Sequence, residues 1–552
     1  MSTPDAQPEP SPPSRDRYRA VVPLAVLLGL GLRLVHLRES LWYDELFATG
    51  LKLGSWPRLG ATLLQDVHPP LHHLVMTAWI AVFGDGVVSV RALPFFCGLL
   101  VIWQTARLAA STFGVGAGRI AAVLVATSPV MIEYSTEARP YMPLVALVLA
   151  QFAAFRRMMA APGGAGRRWI WGLLAAAGAL THHYAAVATV IQVAWGLARG
   201  RRDGLAVASL AALPALAYLL VRSRLGSLPT TLEHLSGFDL AGLGGFVGEW
   251  ALGGDVLRPL AAEAPAWRVA RIVVLGVAGG LGLIGLGADL RTRSARATAT
   301  MRAVAPRGAI TAMALGLPLL LLLVGLLGRQ GFFVPRAALW CLPFLFTLVA
   351  AGVAGLSAPV RRIAVPVGLA LVATVLVAWA SDGRRWRQAD LAGAARDLAA
   401  DFAPSGPPSA LFTAAFRPQP LEYYQPGIGE RSAFEREARL ARELEGRLDR
   451  LLPASLASSA RAFLEEKLAD LERESAARNA SRRLVVVTDP EGGLGAALAA
   501  RPDLRSDAFS VIVDAGGLGA WRERHRSELD RDWREARRND RHGLVTLRFV
   551  RR

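Results

Sequence analysis

The sequence has very little cysteine and little charge. Its 552 residues include only two cysteines, Cys97 and Cys341, and both lie inside apolar stretches. This argues against a disulfide framework and against a cysteine-based metal site. Charged residues make up 19% of the chain, hydrophobic residues make up 53%, and the mean hydropathy is +0.34. Such values are typical of an integral membrane protein.

The sequence also lacks the marks of two other protein classes. Neither a Gly-rich phosphate loop nor a soluble nucleotide-binding domain with a DxD motif is evident, so nothing indicates a nucleotide-sugar site. A transporter or lipid flippase typically has internal symmetry and charged or broken helices near mid-bilayer, and the sequence indicates neither. A polytopic lipid or glycan transporter and a non-catalytic membrane scaffold remain the alternatives to an enzyme.

The formal net charge of +18 could suggest nucleic acid as a partner. Much of this basic excess, however, lies in short loops between apolar runs, and the positive-inside rule then explains it as topology. The predicted cytoplasmic loops are 107–119, 156–168, 199–202, 291–307 and 361–362. All of them are cytoplasmic only if the apolar run 71–83 does not cross the bilayer, and its thirteen residues suit a juxtamembrane or re-entrant helix.

Apolar runs of near-spanning length recur through the first two thirds of the chain. They predict a polytopic α-helical membrane protein with about eleven transmembrane helices plus juxtamembrane helices. Residues 1–19 are predicted to be a disordered cytoplasmic tail, and residues 20–381 the transmembrane domain. The predicted spans lie near 20–37, 88–106, 119–133, 141–155, 169–181, 184–198, 204–221, 269–288, 308–327, 337–355 and 363–380.

The composition changes to a soluble pattern after about residue 382. Strand-like segments alternate there with charged amphipathic segments such as 434–452, which predicts a small extracytoplasmic α/β domain over 382–552. A second large outer region is predicted at 222–268, with a surface helix. The predicted strands are 410–416, 483–489, 509–515 and 544–550.

Four polar clusters interrupt the apolar sequence, and the predicted topology places all of them on the outer side. They are Asp44-Glu45 in SLWYDELFATG, HPP at 68–70, YSTEARPY at 134–141 and THHY at 181–184. A carboxylate at such a place can bind a cation or remove a proton from a hydroxyl that meets a membrane-borne substrate. The clusters therefore indicate a functional site on the outer side of the membrane.

These motifs resemble, in order and spacing, glycosyltransferase family 39-like enzymes of the GT-C class, the group of the protein O-mannosyltransferases and the aminoarabinose transferase. The resemblance covers residues 20–200 and returns weakly at FVPRAALWCLPFLF and RRWRQADLAGAARDL. It implies a polyprenyl-phosphate-linked sugar donor, an active site outside the cytoplasmic (inner or plasma) membrane and inversion at the anomeric carbon. Expected partners are membrane lipid and an acceptor glycan, lipid or protein; nucleic acid is not expected.

The resemblance and the chemistry together assign roles. Asp44 is the expected catalytic base, with Glu45 in a lesser role beside it. The expected donor-phosphate contacts are His68, Arg139, Tyr141, His183 and Arg336.

Each of these residues also has a structural interpretation. Asp44 could be a helix N-cap, and His68 could be the polar start of a helix whose first turn contains proline. Arg139 could be an interfacial anchor and Tyr184 part of an aromatic belt. Of the adjacent His182 and His183, the second is the favoured site residue.

No cofactor is firmly expected. A divalent metal bound by Asp44, Glu137 and His183 is chemically feasible. Some relatives bind a metal through an acidic residue directly before the X-Pro-Pro motif, but this chain has Val67 there. The chain also departs from the family pattern after Arg336, where Ala337 replaces the usual tyrosine.

Overall fold

A computed structural model of the chain contains two compact units. The first comprises 1–35, 93–213 and 233–379; the second comprises 36–92, 214–232 and 380–552. The structure describes residues 15–42, 44–46, 68–160, 165–202, 205–225, 307–328, 335–381, 390–401, 408–414, 424, 428–429, 462, 465, 469, 484–488, 494–501, 504–514, 517–541 and 544–552.

Helices account for nearly all of the described chain before residue 400. A 3₁₀ helix at Pro335–Cys341 directly precedes one of them. The α-helices are α1 Arg15–Leu34, α2 Leu71–Phe83, α3 Val87–Phe113, α4 Val115–Thr127, α5 Pro129–Ser135, α6 Tyr141–Ala160, α7 Ala165–Thr181, α8 Ala185–Leu197, α9 Leu205–Leu225, α10 Arg307–Gly328, α11 Leu342–Ala354, α12 Ala358–Ser381 and α13 Leu391–Ala399.

The helices have the length and surface of a membrane protein. Among the described residues, α3, α6 and Gly308–Leu326 of α10 are long and apolar enough to span a bilayer, and α4 with α5 adds a fourth span if the bent pair crosses as one. Large aliphatic side chains on neighbouring helices are exposed, which is favourable in lipid. The count of about eleven spans stays a prediction; the span at 269–288 and most of 222–268 lie outside the described residues.

The predicted span 119–133 is wrong as a single helix. Its residues belong to α4 and α5, whose axes differ by 61°. Ser128 between them has φ −66° and ψ 119°, an extended conformation. Pro129 causes this break because proline has no N–H for the helix and disfavours a helical residue before it. The sequence analysis therefore missed a broken helix.

Aromatic side chains fill the interior of the first unit. Phe152 of α6 meets the Phe344 ring edge-on at 5.1 Å, and Phe155, one turn further on, contacts Trp171 at 6.5 Å. The Trp171 indole donates to Gln192 Oε1 at 2.7 Å, so this buried polar atom is satisfied. These contacts join α6, α7, α8 and α11 into one packed body.

The chain after residue 400 forms a mixed six-stranded sheet in the order β2-β3-β1-β4-β6-β5. The first four in that order are parallel, and β6 pairs antiparallel with β4 and β5. Phe509 is central to its core, in ring contact with Phe412, Trp533 and Phe549. The elements are β1 Ser409–Ala414, β2 Ile428–Gly429, β3 Leu484–Thr488, α14 Leu494–Ala499, β4 Ala508–Asp514, α15 Leu518–Arg524, α16 Arg526–Asp532, β5 Trp533–Arg541 and β6 Leu544–Arg551.

Strands β1, β3, β4 and β6 lie where the sequence predicts strands, but β5 was not predicted. Its sequence WREARRNDR has only two apolar residues, Trp533 and Ala536, and most of its side chains face solvent. Such a strand forms because its backbone pairs with β6 along the edge of the sheet. Its charges also protect that edge from pairing with another chain. The predicted helix at 434–452 lies outside the described residues.

Candidate active site

Asp44 and Glu45 lie together in a short helical turn at residues 44–46. The Leu46 amide closes it by donating to the Trp42 carbonyl at 2.9 Å. Asp44 is half-buried, whereas Glu45 is completely buried. The two adjacent carboxylates therefore have different environments and can have different roles.

Glu45 forms a buried, bidentate ion pair with Arg91 near the start of α3. Arg91 Nε donates to Glu45 Oε1 at 2.8 Å and a terminal guanidinium nitrogen donates to Oε2 at 2.7 Å. The Trp42 amide also donates to Oε2, at 3.3 Å. The charge of Glu45 is thus neutralised inside the protein by Arg91 rather than by water.

Arg91 also holds the chain that leads to Asp44. Its terminal nitrogens donate to the backbone carbonyls of His36, Leu37, Glu39 and Ser40 at 3.2, 3.4, 2.6 and 3.0 Å. The sequence analysis did not single out this residue. The available signal was an arginine in the otherwise apolar start of α3, since a buried charge requires a partner.

His68 is buried just before α2. Its carbonyl accepts a hydrogen bond from the Tyr218 hydroxyl at 3.2 Å. His72 and His73, in the first turn of α2, are also buried, with ring centroids 6.0 Å apart. The apolar pattern of 71–83 predicts a juxtamembrane or re-entrant helix, but it does not predict the two buried imidazoles.

A second group of predicted site residues surrounds Tyr141, the first residue of α6. The guanidinium carbons of Arg139 and Arg336 lie 5.7 Å and 5.8 Å from the centroid of the Tyr141 ring. The His182 ring lies 6.0 Å away and the Tyr134 ring 5.4 Å away. The structure thus brings Arg139, Tyr141 and Arg336 together from distant parts of the sequence.

The chain places these side chains at the ends of helices. Arg139 lies in the turn between α5 and α6, where its amide donates to the Glu137 carbonyl at 2.7 Å. Arg336 is the second residue of the 3₁₀ helix, and His182 follows the last residue of α7. Residues at helix ends can turn polar side chains away from the apolar helix faces. This common placement explains why they converge.

His182, the less favoured of the two adjacent histidines, is in ring contact with Tyr141. The His182 ring also contacts Tyr184 at 5.2 Å, and its Nδ1 accepts from the Tyr184 amide at 3.2 Å. His182 is buried and His183 is half-buried. Adjacent side chains after a helix end point in different directions, so the sequence could not decide between them.

Two arginines and a histidine around one aromatic ring make a cationic cluster, which we call the Tyr141 cluster (Arg139, Tyr141, His182 and Arg336). Arg139 is buried and Arg336 is half-buried. Guanidinium groups recognise phosphate oxygens through directional, charge-assisted hydrogen bonds, and the aromatic ring orients them. The arrangement suits a phosphate anion that reaches it from a lipid.

The structure gives no support to the metal site considered from the sequence. Among the residues it describes, no three His, Cys, Asp or Glu side chains are grouped as ligands of a metal ion. Glu137, one of the ligands considered, is buried and lies two positions before Arg139 in the sequence.

The structure is similar to several solved membrane glycosyltransferases at low identity. ArnT from Cupriavidus metallidurans is 14% identical, with a TM-score of 0.41, over 96% of this chain and 98% of that one. The Archaeoglobus fulgidus oligosaccharyltransferase is 12% identical, with a TM-score of 0.44, over 93% and 72%. The arabinofuranosyltransferase AftD from Mycobacteria is 18% identical, with a TM-score of 0.43, over 74% and 30%. At these scores the likenesses by themselves carry no argument.

A family model gives the stronger match. Residues 67–225, which include His68, Arg139, Tyr141 and both histidines of THHY, match the model described as dolichyl-phosphate-mannose-protein mannosyltransferase. No curated protein matches the chain. Over residues 67–225, the resemblance that the sequence motifs indicate to family 39-like membrane glycosyltransferases of the GT-C class is thereby confirmed.

Proposed function

We propose that this protein is an inverting glycosyltransferase that moves a sugar from a polyprenyl-phosphate donor to an acceptor hydroxyl on the outer side of the cytoplasmic membrane. The observation that carries the proposal is the Tyr141 cluster, in which two guanidinium groups flank one buried ring. Guanidinium groups beside an aromatic ring can bind the phosphate oxygens of a lipid-linked donor through charge-assisted hydrogen bonds. The matched family's description names a lipid-phosphate sugar as donor.

Asp44 is the proposed base. It is half-buried in a turn whose neighbour Glu45 is already neutralised by Arg91, so Asp44 can interact with an acceptor while Glu45 cannot. As the acceptor oxygen attacks the anomeric carbon, its proton passes to the Asp44 carboxylate. The bond between the anomeric carbon and the phosphate oxygen breaks, and its electron pair leaves with the polyprenyl phosphate.

The departing phosphate gains charge in this step, from a diester to a monoester. Arg139 and Arg336 are proposed to stabilise that charge, with His182 as a third contact. His68 and His183 are also proposed to contact the donor phosphate. Glu45 is proposed to act by positioning the Asp44 turn.

The direct test uses purified protein in lipid nanodiscs with synthetic polyprenyl-phosphate sugars and a panel of hydroxyl acceptors. We expect release of polyprenyl phosphate together with a glycosylated acceptor of inverted anomeric configuration, observed by phosphorus and proton NMR. Transfer from a nucleotide sugar in lipid-free buffer would contradict the proposed donor.

The broken pair α4–α5 favours one alternative, a lipid or glycan transporter. Helices interrupted within the membrane are typical of transporters, and the 61° bend at Ser128 is such an interruption. A reconstituted transporter would move labelled polyprenyl-linked glycan across vesicles without cleaving it. Flux without release of polyprenyl phosphate would favour this alternative over the transferase.

A further inference from the structure

Residues from the C-terminal part of the chain hold the segment that leads to Asp44. The Leu41 amide donates a hydrogen bond to the Tyr424 hydroxyl, 383 positions away in sequence. The Ala392 amide, in the first turn of α13, donates to Ser40 Oγ at 3.1 Å. Two adjacent residues shortly before Asp44 are thereby bound by groups that follow the membrane helices.

Arg91 binds the same segment through other atoms. Arg91 donates to the Ser40 carbonyl at 3.0 Å, while the Ala392 amide donates to the Ser40 hydroxyl. The Leu41 side chain is completely buried. Ser40 and Leu41 are thus held through carbonyl, hydroxyl, amide and side chain together, which leaves the backbone before Asp44 little freedom.

The position of Tyr424 is in turn fixed by the sheet. Its ring packs on a buried cluster made by one helix and three strands. That cluster consists of Leu391, Ala394, Ala395 and Leu398 of α13, Leu411 of β1, Ile512 of β4 and Leu544 of β6. A continuous chain of contacts therefore runs from the sheet core through Tyr424 to the Leu41 amide.

We propose that Tyr424 and the first turn of α13 are positioning groups for Asp44, so that the α/β part of the chain is a working component of the transferase rather than an appended module. The proposal rests on the proposed function, in which Asp44 is the base. A general base must lie within hydrogen-bond reach of its proton, and a displacement of about 1 Å can lower a rate by about 10²-fold. The contacts through Ser40 and Leu41 limit such displacement.

The first measurement is hydrogen exchange on the full-length protein in nanodiscs. We expect Tyr424→Phe to accelerate exchange in a peptide covering residues 36–46 by about 10-fold, because the Leu41 amide loses its acceptor. Ser40→Ala should act in the same direction. Ser510→Ala is the matched control, because it removes a buried hydroxyl of β4 that donates to Asp401, in the turn after α13, and that forms no hydrogen bond with the described residues of 36–46. Unchanged exchange in both test variants would show that Tyr424 and Ala392 do not restrict the segment around Ser40 and Leu41.

The second measurement is turnover at saturating lipid donor. Tyr424→Phe and Ser40→Ala should each lower kcat by about 3–10-fold, and together by more, with the donor KM changed less than about 2-fold. A purely structural role would instead lower the yield of folded protein and affect Ser510→Ala equally. Accelerated exchange with unchanged kcat would overturn the positioning role.

The two measurements separate this proposal from the proposed function. If the wild-type protein releases no polyprenyl phosphate from any donor, the transferase proposal fails, and with it the catalytic meaning of the attachment. Hydrogen exchange would then still decide whether Tyr424 holds the segment. If the wild type is active and the Tyr424 and Ser40 variants are equally active, only the positioning proposal fails.

Discussion

At the scale of single residues, adjacent carboxylates have opposite environments. Glu45 is completely buried against Arg91, while Asp44 is half-buried. The sequence shows two equivalent acids after a helix. It cannot show that Glu45 pairs with Arg91, because Arg91 lies 46 positions away, in the first turns of α3.

We expect Asp44→Asn to lower kcat by about 10²-fold or more while leaving folding and donor binding intact. Asn keeps the shape of the side chain but cannot take the acceptor's proton, and base catalysis commonly contributes this factor. The measurement is turnover at saturating donor in monodisperse protein. Near wild-type turnover would show that Asp44 is not the base.

Glu45→Gln should act on stability. Breaking a buried ion pair leaves the Arg91 charge uncompensated, which costs about 3–5 kcal/mol. We expect a clear loss of thermal stability in detergent, and Arg91→Met should have a comparable effect. The double variant should lose less than the sum of the two, since both single changes disrupt the same pair. Additive losses would contradict the coupling.

The Tyr141 cluster makes a prediction about donor affinity. Arg139→Ala and Arg336→Ala should each weaken donor binding by about 10–100-fold, because a charge-assisted hydrogen bond contributes about 1.5–3 kcal/mol. Arg199→Ala is the matched control, since Arg199 also lies over an aromatic ring, that of Trp195 at 4.8 Å, but outside the cluster. Donor affinity is measured by titration of labelled polyprenyl phosphate. Equal weakening in the control would mean that general charge is responsible.

At the scale of elements, local sequence decides where a helix breaks. Pairing with a neighbouring strand decides whether a mostly polar segment forms a strand. Pro129 divides a predicted span into α4 and α5. Conversely, seven of the nine residues of β5 are polar, and it is a strand because its backbone pairs with β6. Ion pairs from β5 to α13 then fix the helix that contacts Ser40.

One of these pairs makes a pH prediction. Arg541 forms a bidentate bond to Asp397 of α13, with distances of 2.9 and 2.7 Å, and these hydrogen bonds lower the pKa of Asp397 below its ordinary 3.8. A lowered carboxyl pKa adds stability above the unfolded-state value, and that stability is lost as the pH falls through the folded-state value. Asp397→Asn should therefore be less stable than wild type near neutral pH, and the difference should shrink as the pH falls through the folded-state pKa of Asp397.

The measurement is the difference in Tm between wild type and Asp397→Asn from neutral pH to pH 3. A partly exposed pair should give a difference of about 2–4 °C at neutral pH. Asp540→Asn is the control, because its pKa is also lowered by an arginine, Arg538, but the pair is exposed. A constant difference at all pH values would contradict the role of Asp397 ionisation.

At the scale of the whole molecule, the distribution of basic loops predicts that 38–68, 222–268 and 382–552 all face away from the cytoplasm. In a background without Cys97 and Cys341, Ala160→Cys should be shielded from an impermeant thiol reagent in intact cells, and Glu430→Cys should react. The opposite pattern would reverse the orientation and move Asp44 to the cytoplasmic side.

The sequence by itself determined the membrane class, the positions of most helices and of strands β1, β3, β4 and β6, and the motifs behind the family resemblance. These follow from local hydrophobicity and short patterns, which need no knowledge of distant contacts. It also named Arg139, Tyr141 and Arg336, which the structure brings together.

Tertiary structure alone decided which polar groups meet. It paired Glu45 with Arg91, brought His182 against Tyr141, and joined Leu41 to Tyr424. Each of these contacts links residues separated by 41 to 383 positions, and the direction of a side chain after a helix end depends on its neighbours in space. Hydrophobic patterning positions elements, whereas buried polar groups take whichever partner the packed elements bring within hydrogen-bond reach.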